Sequence, residues 1–424
     1  MGAVRCNAAA LIAALAVVLL PLTAGCVDES PAPTAEVTAD EVTALVAGGN
    51  EFAFDIYGRL AGRGNLFFSP YSISTALAMT AAGARGETES EMAATLHFPV
   101  ETVDGVETQV PRERIAATYG WLQHRLAATP ETRGYELSVA NSLWGQEGYP
   151  FRESFLGLID SGYGGGFNIA DFAGNVEAER LRINGWVMDE THDRIEDLIP
   201  QGGVDALTTL VLVNAVYFKG QWAAQFDAGR TSDATFHGES RDGSVPMMFR
   251  KGDYRYYSDE DVQLIEMPYT GDEVSMLVVL PRAGSLMTLS ALEGALSPQM
   301  LEEWSANLHE EEVKVYFPRF EMTWGTEDIS GHLQALGMRL AFTAGADFTG
   351  MSDRRDLFIG PVFHKAFVSV NEEGTEAAAA TAVVMKREAV MDTPEFRADH
   401  PFMFFIRENA TGEILFMGRV TDLG

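Results

Sequence analysis

Residues 371–396 read NEEGTEAAAATAVVMKREAVMDTPEF. The stretch starts acidic and turns through Gly374. It continues with four alanines, a β-branched run, two bases and a tail containing Pro394. It is too weakly amphipathic for a surface helix and too apolar for an ordinary loop. On either side lie runs that read as strands, FHKAFVSV (363–370) and FMFFIR (402–407). Such a composition between two buried strands needs a physical reason, and that reason decides the fold.

At 424 residues the chain can bury one large core or two smaller ones. Formal net charge is −31, and lysine occurs only at 219, 251, 314, 365 and 386. A surface of this sign repels nucleic acid, and the acidity reads as a solubility device.

The N-terminus reads as a targeting signal. Arg5 precedes the apolar run AAALIAALAVVLL (8–20), which is short for a membrane span and the right length for a signal core. LTAGC (22–26) places small residues before Cys26 and resembles the lipobox of bacterial lipoproteins. That resemblance implies removal of residues 1–25 and lipid on Cys26. Thr23 stands where the pattern usually has leucine, so export with cleavage nearby and no lipid is the alternative. Residues 26–40 are acidic, carry two prolines and read as a tether. Cys6 falls inside the signal, so the folded part has no disulfide framework and no thiol nucleophile.

From residue 41 the pattern runs without a linker. Helical periodicity covers 41–60, 89–96, 114–129, 176–199 and 328–338, and Ser69-Pro70 opens another helix. Alternating or β-branched runs at 135–146, 208–222, 234–240, 245–257, 262–271, 274–282, 312–325, 365–370, 400–409 and 412–420 read as strands. Asn409–Gly412 makes the last hairpin turn. Helices lead and strands dominate later, which predicts one large α+β domain with mostly antiparallel sheets.

Enzymatic constellations do not assemble. There is no Gly-x-Ser-x-Gly elbow, no phosphate loop followed by lysine, no His-Glu-x-x-His and no cysteine pair for a metal. GYGGGF (162–167) lacks the context of a phosphate site and reads as a turn. The expectation is a protein that is not an enzyme and needs neither metal nor cofactor.

Four stretches together resemble the serpin family: NLFFSPYSISTALAMTAAGARGETESEM (65–92), LVNAVYFKGQW (212–222), FHKAFVSVNEEGTEAAAATAVVM (363–385) and ADHPFMFFIRENATGEILFMGRV (398–420). They occur in the order and at the spacing of that family. The resemblance implies a serpin domain over 41–424, with three sheets, eight or nine helices and an exposed reactive loop at about 371–398. It implies a monomeric suicide-substrate inhibitor of serine, sometimes cysteine, proteases. The target cuts the loop and stays attached as an acyl complex while the loop inserts into the main sheet. The alternative is a non-inhibitory serpin serving as a binding or structural protein of the cell envelope. Its location would be the cell envelope, held by lipid at Cys26, or outside the cell.

The opening stretch now has a reason. An inserting strand places alternate side chains on opposite faces. Thr375, Ala377, Ala379, Thr381, Val383 and Met385 form one set, and Glu376, Ala378, Ala380, Ala382, Val384 and Lys386 the other. Every charge falls in the second set, so the first can enter the interior without burying an ion. No proline interrupts the run. The family's hinge maps onto Glu372, Gly374, Thr375, Glu376, Ala377, Ala378, Ala379 and Ala380. Its shutter network maps onto Ser69, Ser72, Asn214 and His364, and its breach tryptophan onto Trp222. In that family the bait residue usually lies fourteen residues after the hinge glycine, which here implies Glu388–Ala389 as the reactive bond; a loop one residue shorter would imply Arg387–Glu388. PRERIAATYGWLQHRLAAT (111–129) has arginines but no lysine, with acid between them, so no polyanion cofactor is expected.

Overall fold

The computed structural model describes residues 36–62, 64–103, 105–127, 134–375 and 393–424. The expected signal, most of the tether, Cys26, hinge residues Glu376 to Ala380, and Arg387, Glu388 and Ala389 lie outside the described residues. Val37–Gly424 forms one unit.

The first helix, Ala39–Leu60, starts two residues before the expected domain boundary. Thr38 and Glu41 fix that start as a reciprocal capping box. Ser69 caps the second helix, Pro70–Ala81, and Pro70 occupies its first turn where a missing N–H costs nothing. This helix is buried all round, which its Ala- and Ser-rich sequence permits by allowing close approach. In the GYGGGF turn, Gly164 ends the helix Glu153–Tyr163 in the left-handed region. Gly166, at φ 100°, then passes so close to the Asn141 carbonyl that a Cβ would sit 2.9 Å from it.

Among the described residues there are nine helices and three sheets. The nine-stranded sheet carries Val262–Pro268, Val274–Pro281, Phe402–Glu408 and Ile414–Val420 at its centre and Glu395–Arg397 at one edge. The six-stranded sheet runs in the order Phe320–Asp328, Val362–Val370, Gly374–Thr375, Leu210–Gln221, Tyr135–Gln146, Phe167–Ala170. The third sheet is an exposed hairpin, Val100–Val103 with Val106–Gln109, which no strand pattern in the sequence announces.

Two segments depart from the elements their sequence patterns predict. The run 312–325 is not one strand. His309–Pro318 belongs to the nine-stranded sheet and Phe320–Asp328 to the six-stranded one. The chain changes sheets at Arg319, whose N–H donates to the Pro246 carbonyl, directly after a proline that cannot donate to a ladder. The helix expected to reach 199 ends at Glu190. His192 and Asp193 take positive φ, and residues 191–199 then cross the outer face of the six-stranded sheet. Ile195, Leu198 and Ile199 pack there with Val211, Val213, Ala215 and Phe363 in a second core.

Candidate functional site

A seam runs through the six-stranded sheet. Val362–Phe367 pairs with Leu212–Tyr217, and the pairing is parallel. Above Phe367 the two strands part, and Gly374–Thr375 enters between them. It is antiparallel to both, with Gly374 opposite Gln221 and Thr375 opposite Gly220 and Val370. A Cβ on Gly374 would lie 2.0 Å from the Gly220 carbonyl oxygen, so no side chain fits there. Thr375 is fully buried, its hydroxyl 3.0 Å from the Tyr269 hydroxyl.

The turn leading into this segment is tied down. Trp222 donates its backbone N–H to the Glu373 carbonyl and its Nε1–H to the Asn371 carbonyl, while its ring stacks on Tyr269 at 4.7 Å. The Thr231 hydroxyl donates to Glu372 at 2.8 Å, and Arg319 lies 3.5 Å from the same carboxylate. Glu372, Gly374, Thr375 and Trp222 therefore gather at one place, the mouth of the seam.

Lower down, the inner face carries a polar cluster in an apolar core. His364 and Asn214 are register partners across the seam, and His364 Nδ1 bonds Asn214 Oδ1. His364 Nε2 accepts from the Ser69 backbone N–H at 3.2 Å, so the ring is neutral with its proton on Nδ1. Asn214 Nδ2 donates to Ser72 Oγ at 2.7 Å and to Asn141 Oδ1 at 2.6 Å. Ser69 Oγ accepts from the Ser72 N–H and donates to the Leu415 carbonyl. All four residues that the resemblance singled out thus meet in one network.

Asn141 is a fifth member that the sequence reading missed. It sits opposite Asn214 in the neighbouring strand and donates to the Ser72 carbonyl. The available signal was an asparagine in the middle of a strand-like run, where a polar side chain needs a partner if buried. Hydrogen bonds therefore link three adjacent strands to the Pro70–Ala81 helix. Opening the seam breaks the His364–Asn214 bond.

Burial lowers the His364 pKa to about 3 from an ordinary 6.5. The unfolded chain then binds the extra proton first. Stability from this group is complete above pH 6.5 and is lost as pH falls toward 3. About 2 kcal/mol should go between pH 7 and pH 5 from this group alone. Glu413 behaves oppositely. Burial, with Glu408 adding to it, raises its pKa to about 8 from 4.5, so it costs stability as pH rises from 4.5 through 8. Urea unfolding of His364→Gln should show a flatter acid limb than the parent, and Glu413→Gln a flatter alkaline limb. Parallel curves for parent and variants would refute both assignments.

The helix Arg112–Leu126 carries the arginines considered for a polyanion. Arg112 pairs with Glu89 at 2.8 Å, Arg114 with Glu41, and Arg125 with Glu408 at 2.6 Å. Among the described residues no metal-ligand cluster assembles, and no helix is long and apolar enough to cross a membrane.

Residues 47–423 match the family described as serpin (serine protease inhibitor). A serpin-like protein of Thermococcus kodakarensis is 42% identical over 381 residues, covering 88% of this chain and 84% of that one. The leukocyte elastase inhibitor of Sus scrofa is 40% identical over 388 residues, covering 89% and 99%. The crystal structure of uncleaved ovalbumin superposes with a TM-score of 0.77 at 30% identity, covering 90% of this chain and all of that one. With a split seam, a chain segment paired into its mouth and sequence matches over nearly the whole folded unit, this chain belongs to the serpin family.

Proposed function

We propose that the protein is a suicide-substrate inhibitor of serine proteases, acting by cleavage of the loop after Thr375 and its insertion into the seam. The observation that carries this reading is the pairing of Gly374–Thr375 with both flanking strands. On this reading the pairing is the first step of insertion, made before the loop is cut.

Extending that register along Leu210–Gln221 puts residue 376 opposite 219, 381 opposite 214 and 385 opposite 210. The uncharged set then faces the inner core. Glu376 falls opposite Lys219, a favourable cross-strand pair. Lys386 falls beyond the end of the strand. Thr381 arrives opposite Asn214, where its hydroxyl can replace the hydrogen bond that Asn214 loses from His364. Ala378, Ala380 and Ala382 lie on the outer face, small enough to pass beneath residues 191–199. A parallel pair is exchanged for two antiparallel ones, which are slightly more stable per residue. The acyl-linked protease would be carried along with the inserting strand, and the protein itself performs no turnover.

The reactive bond by count is Glu388–Ala389, which suits a protease with a basic specificity pocket. Arg387–Glu388 is the alternative and suits trypsin-like enzymes. The test is incubation with a glutamyl endopeptidase and, separately, with trypsin. Denaturing gels would read a covalent complex, and intact mass would read the released C-terminal peptide. A peptide starting at Ala389 with a stable complex supports the count, whereas one starting at Glu388 from a trypsin complex moves the bond by one residue. Cleavage without a complex from either enzyme, or from a wider protease panel, would favour a non-inhibitory envelope protein.

We further propose that the mature chain is a lipoprotein anchored at Cys26, on the strength of LTAGC after an apolar signal core. Cys26→Ser should move it from the membrane fraction to the soluble one. Unchanged fractionation, or a mature N-terminus without lipid, would support plain secretion.

A further inference from the structure

Arg230, Lys251, Lys314 and Arg397 gather on one outward face between the two ends of the loop, with Glu395 among them and Asp253 and Glu312 in the adjoining row. In the strands Asp242–Ser258, His309–Pro318 and Glu395–Arg397, one register row holds Phe249, Tyr316 and Arg397, and the next holds Lys251, Lys314 and Glu395. Arg230 lies over the Phe249 ring at 4.2 Å, the Phe249 and Tyr316 rings meet at a tilt with centroids 4.7 Å apart, and Arg397 lies over Tyr316 at 3.6 Å. Next to Arg230, Thr231 bonds Glu372, which Arg319 also meets. The face therefore reaches from the mouth of the seam to the strand where the chain re-enters the sheet.

Stability does not explain this arrangement. The chain has 61 acidic and 30 basic residues, yet two of its five lysines stand directly opposite each other. Like charges so placed are destabilising. Lys251 is relieved by Glu312 at 2.6 Å, and Arg397 by Glu395 at 2.7 Å. Arg230 and Lys314 make no ion pair among the described residues. Two tilted aromatic rings lie in the middle of this surface, with a guanidinium group over each.

We infer that this face docks the acidic rim of a target protease beside its cleft. The inference rests on the inhibitory reading above. Glu395 is seven Cα steps along the chain from Glu388, so the reactive bond lies within about 25 Å of the face by chain length alone. A protease domain is roughly 40 Å across and buries about 800 Å² on each partner, so one bound at the loop reaches this surface. The chain as a whole, at net charge −31, would repel an acidic protease. A local cationic face at the point of contact offsets that and raises the rate of encounter with the matching partner.

Anionic and cationic trypsin share a specificity pocket and differ in surface charge, which makes them suitable probes. The readout is the second-order rate of loop attack at low and high salt, which is measurable whether attack ends in a complex or in cleavage. Failure of the inhibitory reading is therefore seen separately, as missing complexes. Arg230→Glu/Lys314→Glu should slow anionic trypsin about tenfold or more at low salt, and leave cationic trypsin unchanged or faster. Arg59→Glu/Arg152→Glu, with the same change in net charge on other elements, should have little effect. Equal responses of the two double variants, or of the two trypsins, would overturn the inference. So would inorganic polyphosphate binding at 150 mM salt that only the Arg230/Lys314 variant loses, with both trypsins indifferent. Unchanged thermal unfolding of the variants checks that the fold is retained.

Discussion

If the protein inhibits by loop insertion as proposed, Thr375→Arg is expected to turn it from an inhibitor into a substrate. Thr375 is fully buried at the mouth of the seam, its hydroxyl against that of Tyr269 and its backbone between Gly220 and Val370. An arginine there must either bury its guanidinium without a partner or keep the hinge out of the sheet. Burial of an unpaired ion costs several kcal/mol, and each 1.4 kcal/mol is about a factor of ten. Insertion would lose its race against hydrolysis of the acyl bond. The stoichiometry of inhibition should rise about tenfold or more, while the rate of initial attack on the loop stays within about twofold. Thr375→Val, which keeps the shape without charge, should remain an inhibitor. Full inhibitory stoichiometry in Thr375→Arg would show that insertion through this mouth is not the mechanism.

Cleavage within the loop should raise the unfolding temperature sharply. Filling the seam alongside Leu210–Gln221 adds roughly ten net backbone hydrogen bonds at about 0.5–1.5 kcal/mol each, on the order of 10 kcal/mol. Burial of Val383 and Met385 adds to this. For a unit spanning Val37–Gly424, an unfolding entropy of about 2.1 cal/mol/K per residue makes each kcal/mol worth about 1.2 °C. The expected rise is therefore on the order of 10–15 °C by differential scanning calorimetry, at a fixed scan rate because an uncut state of higher free energy would be held only kinetically. Superimposable melting curves for intact and cleaved protein would remove the basis for metastability and favour a non-inhibitory role.

Much of this molecule is written locally. Ser69-Pro70 announces the helix it caps, and the β-branched run before Trp222 announces a buried strand. The alternation from Thr375 to Met385 shows which set of side chains can enter a core. These features depend on neighbours a few residues away, so the linear order of residues carries them. The order and spacing of four motifs then carried the family, and through it the four polar residues that meet in one buried network.

The tertiary structure decided what depends on distant pairings. His364 and Asn214 meet across 150 positions of sequence, and Asn141 joins them only because its strand is the next one in the sheet. The run through Pro318 divides between two sheets because each half finds a different partner strand, although both halves alternate alike. Residues 191–199 leave the helix to cover the outer face of the seam, where their apolar side chains are buried against strands that periodicity alone does not reveal. Lys251 and Lys314 become neighbours through one particular register, and a slip of one residue would put them on opposite faces. Local patterning fixes which face of an element is apolar. Which elements share that face is fixed by burying the most apolar surface with every polar group paired, a condition that only the whole fold can meet.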